Sequence, residues 1–468
     1  MIFHSQNERK KDGVFILPAN ARALAHPCLD TAITRELWQN FSFKTSALTS
    51  APCEEYAFLI GEAEKLPLDG HAYTINITPN GICLHASGKR DLLHAFMTLL
   101  DLIKVTEKND TLVAEISCRE QKETPVIPTR MVHYCVFPET ELYELQRFLR
   151  LCAALKYTHV IVEFWGMLKY SCHNSLAWSH AFDKNTIRPI FDEARTLGLE
   201  IVPMFNHWGH ASASRVIHGK HVVLDQDPSM QPYFSEDGWC WDIQKPKVKA
   251  LLREIRHELI ELCGEGDYFH IGCDEAYNFD LSTKAGMDTI CDFINEISGE
   301  LKALGRRAIA WGDMLLYRHA HYNPQNKYCC NAPTPEAEHY MLGHLSRDVV
   351  IADWQYEPKI APVETASVFK RAGFDCLLCP WDLGTAPMSA VMETVKSEQL
   401  TGFIHTTWHT LSTGMPYVAI AAVMGYESTP CDKRALRTAT AALLRRLMPT
   451  DGNYERTGFS RHQIDFKW

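Results

Sequence analysis

The 468-residue chain lacks three features that would direct it to particular partners. Its best apolar run, residues 417–426, is about half of the roughly 18–20 residues that a membrane span requires. Its first residues, MIFHSQNERKKDG, lack the apolar core and the small-residue cleavage site of a secretory signal. It has no basic excess either, because 47 Lys and Arg stand against 57 Asp and Glu, a net charge of −10. We therefore expect a cytoplasmic protein that binds neither a membrane nor a nucleic acid.

A disulfide pattern is also missing. Sixteen cysteines are scattered through a large chain, which favours reduced, buried thiols over a disulfide framework. Cys376 and Cys379 have the CxxC spacing, but they lie in the apolar run FDCLLCPW, which is typical of a buried strand. With 46% hydrophobic and 22% charged residues the chain is globular in composition, which excludes global disorder and fibrous repeats.

Residues 1–124 predict a small α+β domain. Segment 73–86 alternates apolar and polar residues around an Asn-Gly turn, which indicates a β-hairpin. Segment 91–105 carries apolar residues at helical spacing, and 111–116 is a further predicted strand. The polar, proline-containing segment 121–128 is the predicted linker.

Residues 125–430 predict a catalytic TIM (β/α)8 barrel, because short apolar runs alternate with helical stretches. The predicted strands are 129–135, 159–164, 200–205, 268–272, 308–311, 349–354, 376–380 and 402–408. The predicted helices are 139–156, 186–197, 247–262, 287–304, 336–345, 361–372 and 388–397. A doubly wound sheet is the structural alternative, although no Gly-rich phosphate loop supports it. Residues 431–468 are predicted to form a helical tail packed on the barrel.

Catalytic residues of this fold gather at the carboxyl ends of the strands. Those positions hold Arg130 (within the first strand), Glu163, Trp165, Asn206, His207, His210, Asp274, Glu275, Trp311, Asp313, Trp354, Tyr356, Trp381, Asp382, Trp408 and His409. Four tryptophans stand at the ends of the last four predicted strands, and a pocket of indole rings suits the flat face of a sugar. The alternative is that these tryptophans belong to the barrel core.

Segment 269–275, FHIGCDE, carries an apolar strand directly into the adjacent carboxylates Asp274 and Glu275. Neighbouring carboxylates repel each other, so we expect their pKa values to separate. One would stay ionised while the other is held protonated near neutral pH, as general acid–base catalysis requires. A helix N-terminus is the alternative interpretation of an Asp-Glu pair, but the aromatic residues at other strand ends favour catalysis.

This segment resembles the signature His-x-Gly-Gly-Asp-Glu of glycoside hydrolase family 20, the β-N-acetylhexosaminidases, and in particular the hexosaminidase D-like branch. Here it reads His270-Ile-Gly-Cys-Asp-Glu, with Cys273 in the second Gly position. The third-strand motif of the family is similar to residues 203–210, which retain Gly209 and His210 but not the acids.

The resemblance implies an exo-β-N-acetylhexosaminidase that removes terminal β-linked N-acetylglucosamine or N-acetylgalactosamine from glycans or glycoconjugates. In the implied substrate-assisted, retaining mechanism, Asp274 orients the 2-acetamido group and Glu275 is the general acid and base. Arg130 would anchor sugar hydroxyls. The implied aromatic wall is Trp311, Trp354 and Trp408, and His210 is a hydroxyl contact or a structural residue. Neither a cofactor nor a metal ion is expected.

The chain departs from the family pattern at three strands. Glu163-Phe-Trp-Gly replaces the acid-bearing motif of the second strand, and Trp408-His-Thr replaces the Trp-x-Glu of the eighth. The Tyr-x-Asp of the seventh strand is represented by Asp382, next to Trp381, with Tyr356 of the sixth strand as a substitute for the tyrosine. These departures leave the choice between gluco- and galacto-configured sugars open.

Two functions of other classes also remain open. One is a metal-dependent sugar isomerase or epimerase with Glu163, His207 or His210, and Asp274 as ligands, which predicts that chelators abolish activity. The other is a non-catalytic carbohydrate-binding protein, which predicts binding without turnover.

Overall fold

The computed structural model of the chain describes residues 2–3, 7–212, 223–317, 319, 326–408, 411–427 and 432–448. The strand-end residue His409 and tail residues 449–468 of the sequence prediction lie outside these ranges. The amino-terminal elements are β1 Glu8–Ile16, β2 Asn20–Ala25, α1 Ala32–Phe41, β3 Ala47–Pro52, β4 Ala57–Gly61, β5 Tyr73–Thr78, β6 Gly81–Ala86, α2 Lys89–Leu102, β7 Lys104–Lys108 and β8 Thr111–Glu123.

The later elements alternate between strands and helices. They are β9 Thr129–Val136, α3 Leu142–Ala154, β10 His159–Phe164, α4 Lys184–Thr196, β11 Glu200–Met204, α5 Val223–Gln226, α6 Pro246–Cys263, β12 Tyr268–Gly272, α7 Lys284–Ala303, β13 Arg307–Trp311, β14 Asn326–Lys327, α8 Pro335–His344, β15 Val350–Trp354, β16 Glu357–Pro358, α9 Glu364–Arg371, β17 Cys376–Cys379, α10 Thr385–Ser397, β18 Gly402–His405, α11 Leu411–Tyr426 and α12 Lys433–Arg446.

The amino-terminal elements form one sheet in the order β1-β8-β5-β6-β4-β2-β3, with β7 paired to β8. The predicted hairpin is confirmed, since β5 and β6 pair antiparallel from Tyr73 and Ala86 to Thr78 and Gly81. The predicted strand 111–116 is too short, because β8 continues to Glu123 and its polar end pairs with β1 and β5. Rings of Trp38, Phe58 and Phe96 pack between the sheet and its helices.

The second part is a closed barrel of eight parallel strands, β10-β11-β12-β13-β15-β17-β18-β9. The TIM-barrel prediction is confirmed, and the doubly wound alternative is wrong because β18 pairs with β9 and closes the sheet. The last predicted strand is too long, since β18 ends at His405 and Thr406–Trp408 leave the sheet towards the barrel mouth. The barrel interior is solid, filled by Met131, Ile161, Val202, Met204, Ile309, Trp311, Val350, Ala352, Leu377, Cys379 and Ile404.

The sheet and the barrel are joined by buried polar contacts. Arg150 of α3, whose side chain is 2% exposed, donates to Glu36 of α1 at 2.8 Å and to Glu193 of α4 at 2.6 Å. Helix α12 packs against α11, α3 and α1. In the part of the chain that the structure describes, no helix combines the length and the apolar character that a membrane crossing needs.

Candidate active site

A cavity of about 320 Å³ opens at the carboxyl ends of the barrel strands. Its lining residues are Trp165, His210, Asp274, Glu275, Trp354, Tyr356 and Trp408. All except Trp165 belong to the predicted site, although Trp165 does stand at a predicted strand end. Ligand pockets span about 300–1,000 Å³, so this cavity is of a size for one sugar ring rather than a long chain.

The loop after β12 has an unusual backbone that aims its two carboxylates. Gly272, Cys273 and Glu275 all have positive φ, at +69°, +77° and +46°. A positive φ is uncommon for residues other than glycine and is found where surrounding contacts impose it. Cys273 therefore occupies a conformation that glycine adopts more readily, which agrees with the Gly that the family pattern has there.

Three neighbours hold the backbone of this loop in place. The main-chain N–H of Glu275 donates to Oδ2 of Asp313 at 3.0 Å, and the indole N–H of Trp239 donates to the carbonyl of Glu275 at 2.7 Å. Gly209 packs so closely that a Cβ there would overlap the main-chain oxygen of Asp274. The position of Glu275 is thus fixed from both sides by groups on other loops.

His210 bridges the two carboxylates. Its Nε2 lies 3.2 Å from Oδ2 of Asp274 and 3.0 Å from Oε2 of Glu275. The Glu275 side chain is 38% exposed whereas that of Asp274 is 9% exposed, so Glu275 faces the open side of the cavity and Asp274 its interior. One nitrogen therefore reaches both carboxylates, and the three ligand atoms of this group lie within 4.8 Å of one another.

Asp313 is a functional residue that the predicted site omits, although it stands at a predicted strand end. It is buried and accepts hydrogen bonds from the main chain of Glu275, from Nδ2 of Asn331 at 2.8 Å and from Nε1 of Trp354 at 3.1 Å. Burial, and then the charge of Asp274, raise the pKa of Asp313 to about 7. Asp313 is therefore a carboxyl that keeps its proton close to neutral pH. The division of the pair Asp274 and Glu275 into one ionised and one protonated carboxyl stays a prediction.

Tyr356 provides a hydroxyl at the cavity wall. Its oxygen accepts a hydrogen bond from Nε1 of Trp408 at 2.7 Å, and it lies 3.4 Å from Oγ1 of Thr406, whose own proton goes to the carbonyl of Pro380 at 3.0 Å. Burial raises the pKa of Tyr356 well above its usual value, so the phenol stays protonated. Since its oxygen already accepts a hydrogen bond from Trp408, the phenolic proton is the group that it can offer to a ligand.

Trp311 and Trp381, two predicted site residues, stand behind the cavity lining. Trp311 is 2% exposed and packs beneath Trp408, with ring centroids 5.7 Å apart, so for Trp311 the core alternative is correct. The ring of Trp381 supports Tyr356 at 5.3 Å, and Asp382 follows it on the same segment. Trp311 and Trp381 thus support lining residues rather than line the cavity.

Glu163, a candidate substrate contact at the end of the second predicted strand, is buried below the site and is not among the lining residues of the cavity. It is 0% exposed, and its oxygens lie 3.2 Å from Nε2 of His133 and 2.8 Å from Nδ2 of Asn206. His207 is also fully buried, with Nδ1 2.6 Å from the carbonyl of Phe205, and burial lowers the pKa of His207 well below its usual value. Both residues build the wall of the barrel.

Arg130 lies at the wrong end of its strand, so the prediction that it anchors sugar hydroxyls is wrong. The guanidinium, 1% exposed, donates to the carbonyls of Lys156 at 2.9 and 2.6 Å, of Ile127 at 2.7 Å and of Pro128 at 2.9 Å. It stands near the start of β9, whereas the cavity lies beyond the strand ends. At about 3.3 Å per residue, the length of the strand separates Arg130 from the site.

Among the residues that the structure describes, two groups of side chains have the spacing of metal ligands. One is His210, Asp274 and Glu275, and the other is His133, Cys135 and Glu163, with the ligand atoms of each group within 4.8 Å of one another. The ligand set expected for a sugar isomerase is thereby split, because Glu163 falls in one group and Asp274 in the other.

Comparisons with known proteins agree with this geometry. Residues 166–380 match the family described as glycosyl hydrolase family 20, catalytic domain. No curated protein sequence matches the chain. A Flavobacterium johnsoniae chitobiase has a similar structure with a TM-score of 0.67 and 17% identity, over 95% of this chain and 72% of that one.

Two further structures are similar over nearly their whole length. A Bacteroides fragilis β-N-acetylhexosaminidase has a TM-score of 0.64 and 14% identity, over 97% of this chain and 95% of that one. A mutant Streptomyces plicatus β-hexosaminidase in complex with product has a TM-score of 0.66 and 13% identity, over 94% of this chain and 93% of that one. At these identities the similarity establishes the fold.

Proposed function

We propose that this chain, whose residues 166–380 match glycosyl hydrolase family 20, is an exo-β-N-acetylhexosaminidase that removes one terminal β-linked N-acetylglucosamine or N-acetylgalactosamine. The observation that carries this proposal is the pair Asp274 and Glu275, bridged by one histidine nitrogen at the edge of a cavity of a size for one sugar. The packed barrel interior below the cavity limits its depth and suits cleavage at a chain end.

The placing of the carboxylates favours a nucleophile supplied by the substrate. A retaining enzyme with its own nucleophile holds two carboxyl groups about 5–5.5 Å apart, across the anomeric carbon. Here both carboxylates lie on one loop and share His210, so neither is placed to attack from the opposite face. The 2-acetamido carbonyl of the substrate takes that role, which is a known exception to the two-carboxylate scheme.

In the first step the acetamido oxygen bonds to the anomeric carbon while the glycosidic bond breaks. Glu275, on the open side, gives its proton to the departing oxygen. Asp274, on the buried side, accepts a hydrogen bond from the acetamido N–H and stabilises the positive charge that develops there. The hydroxyl of Tyr356 donates a hydrogen bond to the acetamido oxygen and so orients this oxygen for attack.

In the second step water attacks the anomeric carbon and gives a proton to Glu275, and the bond from the acetamido oxygen to that carbon breaks. Two displacements restore the β configuration of the released sugar. His210 holds the two carboxylates in register through both steps, because its Nε2 contacts both. The indoles of Trp165, Trp354 and Trp408 enclose the sugar and exclude water.

The proposal is tested with aryl N-acetyl-β-glucosaminide and galactosaminide. We expect Glu275→Gln and Asp274→Asn each to lower kcat by about 10²–10⁴-fold, the usual contribution of general acid–base catalysis. Asp348→Asn is the matched control, because Asp348, whose side chain is 46% exposed, precedes the start of β15, at the end of the barrel away from the cavity, and it should keep kcat close to that of the wild type. A near-normal rate in Glu275→Gln or Asp274→Asn would remove that residue from the mechanism.

The nucleophile is tested separately by removing it from the substrate. A plain β-glucoside or β-galactoside should lose kcat itself, since loss of binding alone would raise only KM. A stable cyclic mimic of the oxazoline should inhibit more tightly than the free amino sugar. Chelators should leave the rate unchanged, and activity that is lost to a chelator and restored by a divalent ion would favour the isomerase instead.

A further inference from the structure

A second, wider depression of about 820 Å³ is present in the described structure. Its lining residues are Ser235, Glu236, Asp237, Trp239, Cys240, Tyr277 and Asn278. They come from two segments, one between β11 and β12 and one that directly follows the catalytic loop. None of them has a part in the mechanism above except Trp239, which holds the backbone of Glu275.

The depression shares a wall with the catalytic cavity on the side of the general acid. Trp239 lines the depression, donates to the carbonyl of Glu275 at 2.7 Å, and lies 4.3 Å from the ring of His210, which lines the cavity. Tyr277 follows Glu275 by two residues.

The chemistry of the depression suits a sugar without a negative charge. Tyr277 is 61% exposed, an unusual state for a large aromatic side chain, and it offers a flat apolar face. Asn278 accepts a hydrogen bond from Nε1 of Trp208 at 2.7 Å, and Ser235 donates one to Asp237 at 2.7 Å. A sugar hydroxyl can therefore bond only the second amide hydrogen of Asn278 and the remaining lone pairs of these two side chains. Glu236 and Asp237 are exposed carboxylates on the same rim, so an anionic occupant meets repulsion there.

We propose that this depression is the leaving-group subsite and that it binds a neutral sugar, with Tyr277 as the stacking surface. This inference rests on the proposed function and specifies its substrate: an N-acetylhexosamine linked to a neutral sugar, in preference to one linked to a uronic acid. The proton that Glu275 donates then goes to the oxygen between the two cavities. Binding in the depression holds that oxygen beside the acid, so it raises kcat/KM.

The test compares substrates that fill the depression with one that does not. The β-N-acetylhexosaminyl fluoride has no leaving-group ring, one disaccharide carries a neutral sugar, and a second carries glucuronic acid. We expect Tyr277→Ala to lower kcat/KM for the neutral disaccharide about tenfold, the order of magnitude of one aromatic contact. The value for the fluoride should change less than about threefold, while Tyr277→Phe should retain the activity on the disaccharide because it keeps the ring. Tyr56→Ala, an exposed tyrosine of the amino-terminal sheet, is the control and should change neither substrate.

The charge of the rim is tested by Glu236→Gln. This variant should raise kcat/KM for the glucuronic acid disaccharide several-fold and leave kcat/KM for the neutral disaccharide unchanged. Added salt should act on the wild type in the same direction.

Three outcomes would overturn the stacking role of Tyr277. They are equal losses on fluoride and disaccharide in Tyr277→Ala, no loss on either substrate, or a loss in Tyr277→Phe as large as in Tyr277→Ala. An equal effect of Glu236→Gln on both disaccharides would overturn the preference for neutral sugars. If the wild type cleaves the fluoride but neither disaccharide, the subsite is wrong and the proposed function stands; if it cleaves no substrate, both are wrong.

Discussion

Asp313, which holds the main chain of Glu275 in the catalytic loop, changes its protonation state with pH. Its pKa of about 7, against 3.8 for an unperturbed side chain, means that the folded protein binds this proton more tightly than the unfolded chain between about pH 4 and pH 7. A more protonated folded state loses stability as the pH rises, so the contribution of this group is largest below about pH 4 and is lost by about pH 7. The cause is physical, since an ionised Asp313 would be a second charge buried beside Asp274.

We expect Asp313→Asn to flatten this pH dependence, because the amide does not ionise. The free energy of unfolding, measured in urea between pH 4 and pH 8, should fall more steeply with pH in the wild type than in the variant. The variant should also lower kcat, because one amide oxygen replaces two carboxylate oxygens that accept from Glu275, Asn331 and Trp354. Parallel pH curves for the two proteins would contradict the assignment of this titration to Asp313.

Single residues show where sequence reasoning reaches its limit. The position of Asp274 and Glu275 at the cavity was predictable, because a strand that runs directly into two acids carries its own signal, and that of His210 because it follows the end of the preceding predicted strand. Arg130 was misassigned because its role came from the family resemblance, although it is the second residue of the predicted strand 129–135 and so stands at the amino end of the strand, away from the site. Asp313 was recognised as a strand-end residue, yet its bond to Glu275 depends on the approach of two loops that no local pattern describes.

At the scale of elements, the catalytic loop after β12 depends on the loop after β11. Gly209 allows the two main chains to touch, and a methyl group at this position would collide with a backbone oxygen that has no rotamer to change. Gly209→Ala should therefore displace Asp274 and lower kcat strongly. Gly299→Ala in α7 is the matched control, because its methyl group meets no atom within 4 Å and should stabilise the helix by about 0.5–1 kcal/mol. Unchanged kcat in Gly209→Ala would show that the loop position is not critical.

The barrel elements were predicted more accurately than those of the amino-terminal sheet. Strands buried on both faces, such as His159–Phe164 and Tyr268–Gly272, are continuous apolar runs that end abruptly, so their predicted bounds agree with the structure. Strand β8 carries polar residues to Glu123 and β1 is mostly exposed, so their pairing depends on partners distant in sequence.

At the scale of the whole molecule, Arg150 links the amino-terminal sheet to the barrel. Arg150→Met leaves Glu36 and Glu193 without their shared cation, and removing one partner of a buried ion pair costs about 3–5 kcal/mol. We expect a clear fall in Tm with kcat unchanged, since the residue lies on α3 rather than at the cavity. Arg253→Met breaks an exposed pair with Glu300 and should cost less than about 1 kcal/mol. Equal melting temperatures for the two variants would mean that apolar packing alone joins the two parts.

The packed interior of the barrel has a kinetic consequence. Since side chains fill the space below the cavity, the aglycone, the attacking water and the liberated monosaccharide all pass through one entrance. The aglycone departs first and the water takes its place, so the monosaccharide is released last. The monosaccharide should accordingly inhibit competitively, and a high concentration of an alternative alcohol should intercept the intermediate and divert hydrolysis into transglycosylation.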